Sequence, residues 1–376
     1  MKICQLSSTS VDGGYFEGLA QGLTSVGHEL LYVSLREALP PTWLDRYPSI
    51  AYRTLGATAR WQYPLATLRL AHWLRREQVS ILHMHLYDAG LVGLLAALLA
   101  GVPVRLLSRH HLDETWLLGT RLTVELDRWM ARRVDCVIVP AQAVRQHMLE
   151  KESLSEAQIE VIPHGFKFES LAADELAGQR VRSELGLDGA FVLGNVGRLV
   201  RNKGHLYLLQ AAKALLPEIP NLRVLLVGDG ERALVEGIVA ELGLQDNVVF
   251  AGFRRDVAAC MKAMDVLVHP SLSESFGQVL VEAMCVGTPV VASAVGGIPE
   301  IVSHERTGLL TPVADADALT VALRRLHAQP EWRMALGMAG QASVYARFSR
   351  ELMVQRYLEI YRRYEHEPSE KTYVAA

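Results

Sequence analysis

The feature that most constrains this chain is a repeating order. Short, uninterrupted apolar runs alternate with helical stretches along nearly its whole length. KICQL precedes a helix from about Tyr15 to Val26 and then ELLYVSL. SILHMH precedes AGLVGLLAALLA, VRLLS, a helix near Thr120–Arg132 and DCVIVP. These runs lack the period-two alternation of half-exposed strands, so they read as strands covered on both faces. Strand–helix–strand repetition requires parallel sheets with right-handed crossovers, which makes the class α/β. At 376 residues the chain exceeds one ordinary domain and fits about two.

The alternation pauses after VIPHGF. The stretch from about Lys167 to Ala190 is polar and carries Gly178, Gly186 and Gly189. A second series then runs through FVLGNVG, LRVLLVG, NVVFAG, DVLVHP and TPVVAS. Two doubly wound halves follow, residues 1–170 and 185–348, with a last helical stretch at 349–366 and a tail at 367–376 expected to fray. No repeat of fixed period is present, which excludes a solenoid.

Composition removes other classes. Half the residues are hydrophobic and 21% are charged, which excludes a disordered chain. A net charge of −3 gives no field to capture nucleic acid. Cys4, Cys136, Cys260 and Cys285 are far apart and form no C-x-x-C, so reduced thiols are expected. The oiliest run, Ala89 to Val104, is broken by Pro103 and falls short of the ~18–20 residues of a membrane span. The opening MKICQL is too short for a signal peptide's apolar region. The expected location is the cytoplasm, with at most a peripheral rest on a membrane.

In open parallel sheets, ligands lie beyond the carboxyl ends of the strands, so residues just after strands are the candidates. GNVGRLVRNKGH places Gly197, Arg198 and Lys203 on a glycine-bearing loop that leads into a helix. Two cations there can reach one diphosphate, the arginine as a planar fork and the lysine as a point charge. The G-x-x-x-x-G-K-[ST] phosphate loop is absent.

HPSLSESFGQVLVEAMC follows a strand. Ser275 and Gln278 have the spacing of a capping box opening a helix through Ala283, which would offer the amides of Phe276, Gly277 and Gln278 to an anion. Glu274 precedes that helix. Glu282 lies roughly 8 Å along its axis from Gly277. Its neighbours Val279, Leu280, Val281, Ala283 and Met284 are apolar, so this carboxylate needs a partner.

Gly13 and Gly14 follow the first strand, where backbone can touch phosphate or sugar, although a double glycine also serves as a plain turn. VLLVGDGE has a similar layout but lacks the spacing of a dinucleotide site. His110 and His111 follow VRLLS, suited to a sugar hydroxyl or to acid–base work. A metal reading would join them to His83 and His85, which share a strand face, but no carboxylate cluster accompanies them. Between Arg36 and Arg145 there are 14 arginines and no lysine against nine acidic residues. With Trp61 and Trp73, this stretch suits a membrane surface, an acceptor groove or a solvated face.

Together these blocks resemble the family 4 retaining glycosyltransferases of the GT-B fold. The matching blocks are GG after the first strand, GHEL, VIPHGF, GRLVRNKGH, LLVGDGE, VFAGF and SESFGQVLVEAMCVGTPVVASAVGGIPEIV. The last, with seven residues between Glu274 and Glu282, is the most specific. The resemblance implies two Rossmann-like domains facing a cleft, a nucleoside diphosphate sugar held mainly by the second, and a hydroxyl acceptor. It implies that Arg198 and Lys203 bind the diphosphate, that Glu274 meets the sugar with the Phe276–Gly277 backbone, and that Glu282 binds the ribose. Gly14 would contact phosphate or acceptor, and the final helix would return to the first domain. The implied catalytic set is Arg198, Lys203, Glu274 and His110, with Gly197 and Gln278 in the donor site and Gly13 and His111 on the acceptor side. Neither metal nor cofactor is expected, and a peripheral membrane contact stays open. The junction departs from the family's common I-P-N-G-x-D, reading IPHGFK with Lys167 where an aspartate is common. A nucleotide-sugar epimerase and a catalytically silent relative share the fold; the Glu-x7-Glu block followed by GGIPEIV favours the transferase.

Overall fold

The computed structural model describes residues 1–9, 14–36, 39–112, 120–152 and 154–366. These form two compact units: Met1–Phe166 together with the helix Arg350–His366, and Lys167–Ser349.

The first unit is built on a seven-stranded parallel sheet. In chain order its strands are β1 (Lys2–Ser7), β2 (Glu29–Ser34), β3 (Ala51–Thr54), β4 (Ile81–His85), β5 (Val104–Ser108), β6 (Cys136–Val139) and β7 (Ile159–Val161). Their spatial order is β3-β2-β1-β4-β5-β6-β7. Every residue of β4 and β5 is buried, as continuous apolar runs require. One face packs helices Tyr63–Arg76, Tyr87–Ala100, Arg121–Arg133 and Gln142–Glu152. The other face packs Gly14–Ser25 and the chain-terminal Arg350–His366, with Phe16, Leu19, Met353, Tyr357 and Tyr361 in its core.

The second unit has a six-stranded sheet of order β10-β9-β8-β11-β12-β13. Its strands are β8 (Phe191–Val196), β9 (Leu222–Val227), β10 (Val248–Gly252), β11 (Val266–His269), β12 (Val290–Ser293) and β13 (Leu309–Thr311). In each sheet the order reverses once, between β1 and β4 and between β8 and β11. Those reversals leave the crevices where doubly wound sheets take ligands.

The boundary departs from the sequence reading. Residues 167–184, read as part of a polar junction, belong to the second unit. The helix Glu175–Glu184 is capped by Asp174, whose carboxylate accepts from the Ala177 amide at 2.8 Å. It buries Val181, and a Cβ on Gly178 would stand 2.9 Å from the Lys262 backbone, so the two segments lie in direct contact. The polarity of this stretch is that of an exposed helix face. The residues of the expected frayed tail, 367–376, lie outside the described residues. Among the described residues no helix is long and apolar enough to cross a membrane.

The terminal helix approaches Gly14–Ser25 closely because Gly18 and Gly22 lack side chains. A Cβ on Gly22 would come within 2.1 Å of Val354. Gly22→Ala gains about 1 kcal/mol of helix propensity but suffers about 1–3 kcal/mol of overpacking. The substitution should therefore lower the urea midpoint in the wild-type background. In a Val354→Ala background, where the space is open, the same change should raise it.

Candidate functional site

The site in the second unit begins where β8 ends. Gly197 (φ 150°) leads into a loop lying against the one after β9, where a Cβ on Gly228 would sit 2.0 Å from the Gly197 carbonyl oxygen. Leu199 bridges to Gly230. This close approach explains the glycines of VLLVGDGE without a dinucleotide. The chain then makes a tight turn at Arg201–Lys203 and enters helix His205–Leu215 through Gly204, φ 71°. A Cβ on Gly204 would stand 1.9 Å from the Pro270 carbonyl, and the Leu272 amide donates to the Asn202 carbonyl at 2.8 Å. The loop after β8 is thus clamped to the loop after β11.

That clamp brings Lys203 and Glu274 together. Lys203 Nζ donates to Glu274 Oε2 at 2.7 Å, and His269 Nε2 lies 3.1 Å from the same oxygen and 3.0 Å from Ser271 Oγ. Burial pushes the Glu274 carboxyl up, but the His269 hydrogen bond and the Lys203 ammonium outweigh it and hold the group at about 2. His269, buried at the last position of β11, escaped the sequence reading; its only signal was a histidine at a strand end. Arg198 is exposed on the same loop, and its guanidinium has no hydrogen-bond or ion-pair partner among the described residues.

Two expectations for the following helix need correction. It spans Gln278–Cys285 and its N-cap is Gly277 in the left-handed region, φ 102°, with no side-chain cap. The N-cap position expected at Ser275 therefore falls at Gly277, because the chain turns two residues later than the Ser275–Gln278 spacing implies. The helix's first-turn amides begin at Gln278, not Phe276. Phe276 is buried edge-on against Phe348, 5.6 Å between ring centroids, which anchors the turn. Glu282 is half-buried, and burial pushes its carboxyl up. The protein partner expected for it is absent among the described residues.

In the first unit, His83 and His85 are buried within a hydrogen-bonded network. His83 Nδ1 meets the Tyr361 hydroxyl at 2.5 Å and its Nε2 meets Ser108 Oγ at 2.8 Å. His85 Nε2 meets Gln5 Oε1 at 2.8 Å, while Gln5 Nε2 donates to Tyr361 at 2.8 Å. Burial holds His83 down at about 3, so it is neutral at physiological pH. These histidines fasten the terminal helix, and among the described residues no group of three or more metal-ligating side chains is gathered.

The adjacent pair divides. His111 Nε2 lies 3.5 Å from Asp127, which also pairs with the buried Arg109; Arg109 reaches Glu152 at 2.6 Å. His110 instead stacks on His164, 5.1 Å between centroids, with Tyr15 edge-on at 5.7 Å. Burial, then the neighbouring His164 and His111, hold His110 well below the usual histidine range. His164 escaped the sequence reading although it stands in VIPHGF just after β7. Gly14 opens the helix Gly14–Ser25, and Gly13 lies outside the described residues.

The basic stretch also resolves into parts. Arg105 is buried against Asp135, Arg109 is internal, and Trp73 lies under the Arg53 guanidinium at 5.2 Å. Trp61 is 80% exposed.

The Glu274 geometry predicts a pH signature. Its folded-state pKa of about 2 lies below the unfolded 4.5, so the stabilisation is present above pH 4.5 and is lost as pH falls towards 2. Lys203→Met should lower stability at pH 7 by about 2 kcal/mol and flatten that loss. Combined with His269→Leu, burial alone remains, and the melting temperature should rise on acidification from pH 6 to pH 4.

The chain was compared with known proteins. Residues 14–169 match the family described as glycosyltransferase family 4, and residues 179–343 match glycosyl transferases group 1. The 2-deoxystreptamine glucosyltransferase of Streptomyces kanamyceticus is 31% identical over 282 residues, 71% of this chain and 73% of that protein. The N-acetyl-alpha-D-glucosaminyl L-malate synthase of Bacillus anthracis is 28% identical over 355 residues, 91% of each chain. Sucrose-phosphate synthase from Thermosynechococcus elongatus superimposes with a TM-score of 0.83 at 27% identity, over 97% of this chain and 100% of that one. Anabaena HepE in complex with UDP and glucose gives 0.82 at 22% identity, over 96% and 100%, a likeness of fold. With both units matched and the β8–β11 crevice furnished by Lys203 and Glu274, the chain belongs to glycosyltransferase family 4 and is a glycosyltransferase of GT-B fold.

Proposed function

We propose that the protein transfers a hexose from a nucleoside diphosphate sugar to a hydroxyl acceptor, with retained anomeric configuration and without a metal ion. The observation that carries this reading is the Lys203–Glu274–His269 constellation at the reversal point between β8 and β11, with Arg198 on the same loop. HepE, solved with UDP-glucose, supports a nucleotide sugar as donor.

The physical difficulty of the reaction is charge developing on the departing diphosphate. Lys203, Arg198 and the amides from Gln278 onward supply fixed positive potential at that point. When a diphosphate takes Lys203, Glu274 keeps His269 as a partner and stays ionised, ready to accept from sugar hydroxyls. Glu282, four residues into the helix from Gln278 and lacking a protein partner, accepts from the ribose hydroxyls. The bond between the anomeric carbon and the diphosphate oxygen breaks, and the acceptor oxygen bonds that carbon on the same face. The acceptor proton passes to the departing diphosphate. His110, two residues beyond the end of β5, is assigned to the catalytic set, with His111 on the acceptor side. The four cysteines are free and buried, which suits a reducing compartment and supports a cytoplasmic location.

Lys203→Ala and Arg198→Ala should each lower turnover by about two orders of magnitude or more, ~3 kcal/mol of transition-state stabilisation, with the fold retained. The wild-type rate should persist in EDTA; abolition by chelator and rescue by Mg²⁺ would overturn the metal-free reading.

The two glutamates should separate in kinetics. Glu282→Gln should weaken the free nucleoside diphosphate and raise donor KM together, because the ribose does not react. Glu274→Gln should act chiefly on kcat, since it faces the reacting end. Calorimetric nucleotide affinities beside steady-state rates check this, and the opposite pattern would reverse the donor's orientation.

A further inference from the structure

We propose that two buried histidines of the second unit are positioning residues for the donor, His205 setting the turn that carries Lys203 and His269 setting the carboxylate of Glu274. That they serve a donor rests on the transferase reading above; their hydrogen bonds do not.

Both rings are costly to bury. His205 is 3% exposed and His269 is 2% exposed. Among the described residues, His205 Nε2 and His269 Nδ1 have no hydrogen-bond partner. An unpaired polar atom in the interior costs free energy that a leucine of similar volume would avoid. Each ring therefore keeps one working nitrogen, and it is a different nitrogen in each.

His269 works through Nε2. It closes β11, and this nitrogen lies 3.1 Å from Glu274 Oε2. An ionised carboxylate only accepts, so the ring proton that faces it sits on Nε2. The hydroxyl of Ser271, fully buried, stands 3.0 Å from the same nitrogen and fixes the ring's rotation. Lys203 Nζ reaches the same carboxylate oxygen at 2.7 Å, but on a flexible four-carbon stem. When a diphosphate draws the lysine away, the orientation of Glu274 is left to His269.

His205 works from the other side of the clamp. It is the first residue of helix His205–Leu215, directly after Gly204. Its ring donates to the Val200 carbonyl, and with Nε2 unpaired the donating nitrogen is Nδ1. The same carbonyl accepts from the Lys203 amide at 3.0 Å. Two donors thus converge on one acceptor and close the turn Arg201–Lys203. Burial holds the ring down at about 4, so it stays a neutral hydrogen-bonding group at physiological pH.

An amide side chain replaces one ring nitrogen but not the other: asparagine reaches as far as Nδ1, and glutamine as far as Nε2. The experiment measures affinity of the full chain for UDP and GDP by calorimetry, beside steady-state kcat. His269→Leu should lower kcat about tenfold or more; His269→Gln should restore most of it, and His269→Asn should not. His205→Leu should weaken the tighter-binding nucleotide about tenfold; His205→Asn should restore the affinity, and His205→Gln should not. A ring that only fills space would rank the two amides alike at both positions, so the crossed ranking is the expected result. Melting temperatures identify the variants that fold. The same ranking at both positions, or wild-type values in both leucine variants, would overturn the proposal. Loss of turnover in Lys203→Ala beside wild-type behaviour of the histidine variants would overturn the positioning role alone. Full turnover in Lys203→Ala would instead overturn the transferase reading.

Discussion

A carboxylate whose side chain is only 15% exposed is tolerable only with partners, and the chemistry of this protein is organised around one such group. Glu274 stays ionised because an ammonium and an imidazole converge on a single one of its oxygens. The arrangement leaves the second oxygen for another donor. Lys203 and Glu274, 71 positions apart, are brought together by two backbone contacts: the glycine at 204 resting on the Pro270 carbonyl and the Leu272 amide donating to the Asn202 carbonyl. Any side chain at 204 would push the cation away from the anion before touching either.

The same logic of backbone proximity recurs at the loops after β8 and β9. Gly197, Gly228 and Gly230 all have φ between 137° and 150°, and they allow two loops to lie nearly in contact. A phosphate-binding surface made of backbone needs this: peptide groups must approach a ligand with no side chains intervening. The glycines are therefore part of the site although they carry no functional group.

Much of this was legible in the sequence. Continuous apolar runs announced the buried parallel strands, and the residues following them supplied Arg198, Lys203, Glu274 and Glu282. Two strands escaped: β3, a partly exposed edge strand reading AYRT, and β13, only three residues long. β3 presents no apolar run because this edge strand is covered less completely, whereas β13 is buried but too short to show one. The misplaced capping box shows a different limit. Ser-x-x-Gln spacing is local, whereas the turn at Gly277 is fixed by Phe276 packing against Phe348, a contact across more than 70 residues. His269 and His164 were hidden for a similar reason: a lone histidine acquires meaning only from what the fold places beside it. Which of His110 and His111 faces the site was ambiguous in one dimension, and the Arg109–Asp127–Glu152 cluster sets their surroundings apart in three.

The network joining Gln5, His83 and Ser108 to Tyr361 and Tyr357 has a consequence for how the chain is made. Gln5 and Tyr361 are 356 positions apart, so β1 is completed by a helix that is made only after the whole second unit. The second unit contains all its own strands within Lys167–Ser349 and can close as soon as that stretch has emerged. The first unit, though begun earlier, must wait with His83 and the apolar face around Phe16 and Leu19 uncovered until the helix Arg350–His366 has emerged. The order of synthesis and the order of completion are thereby inverted, and the half that starts first is the one exposed longest to aggregation and to chaperones.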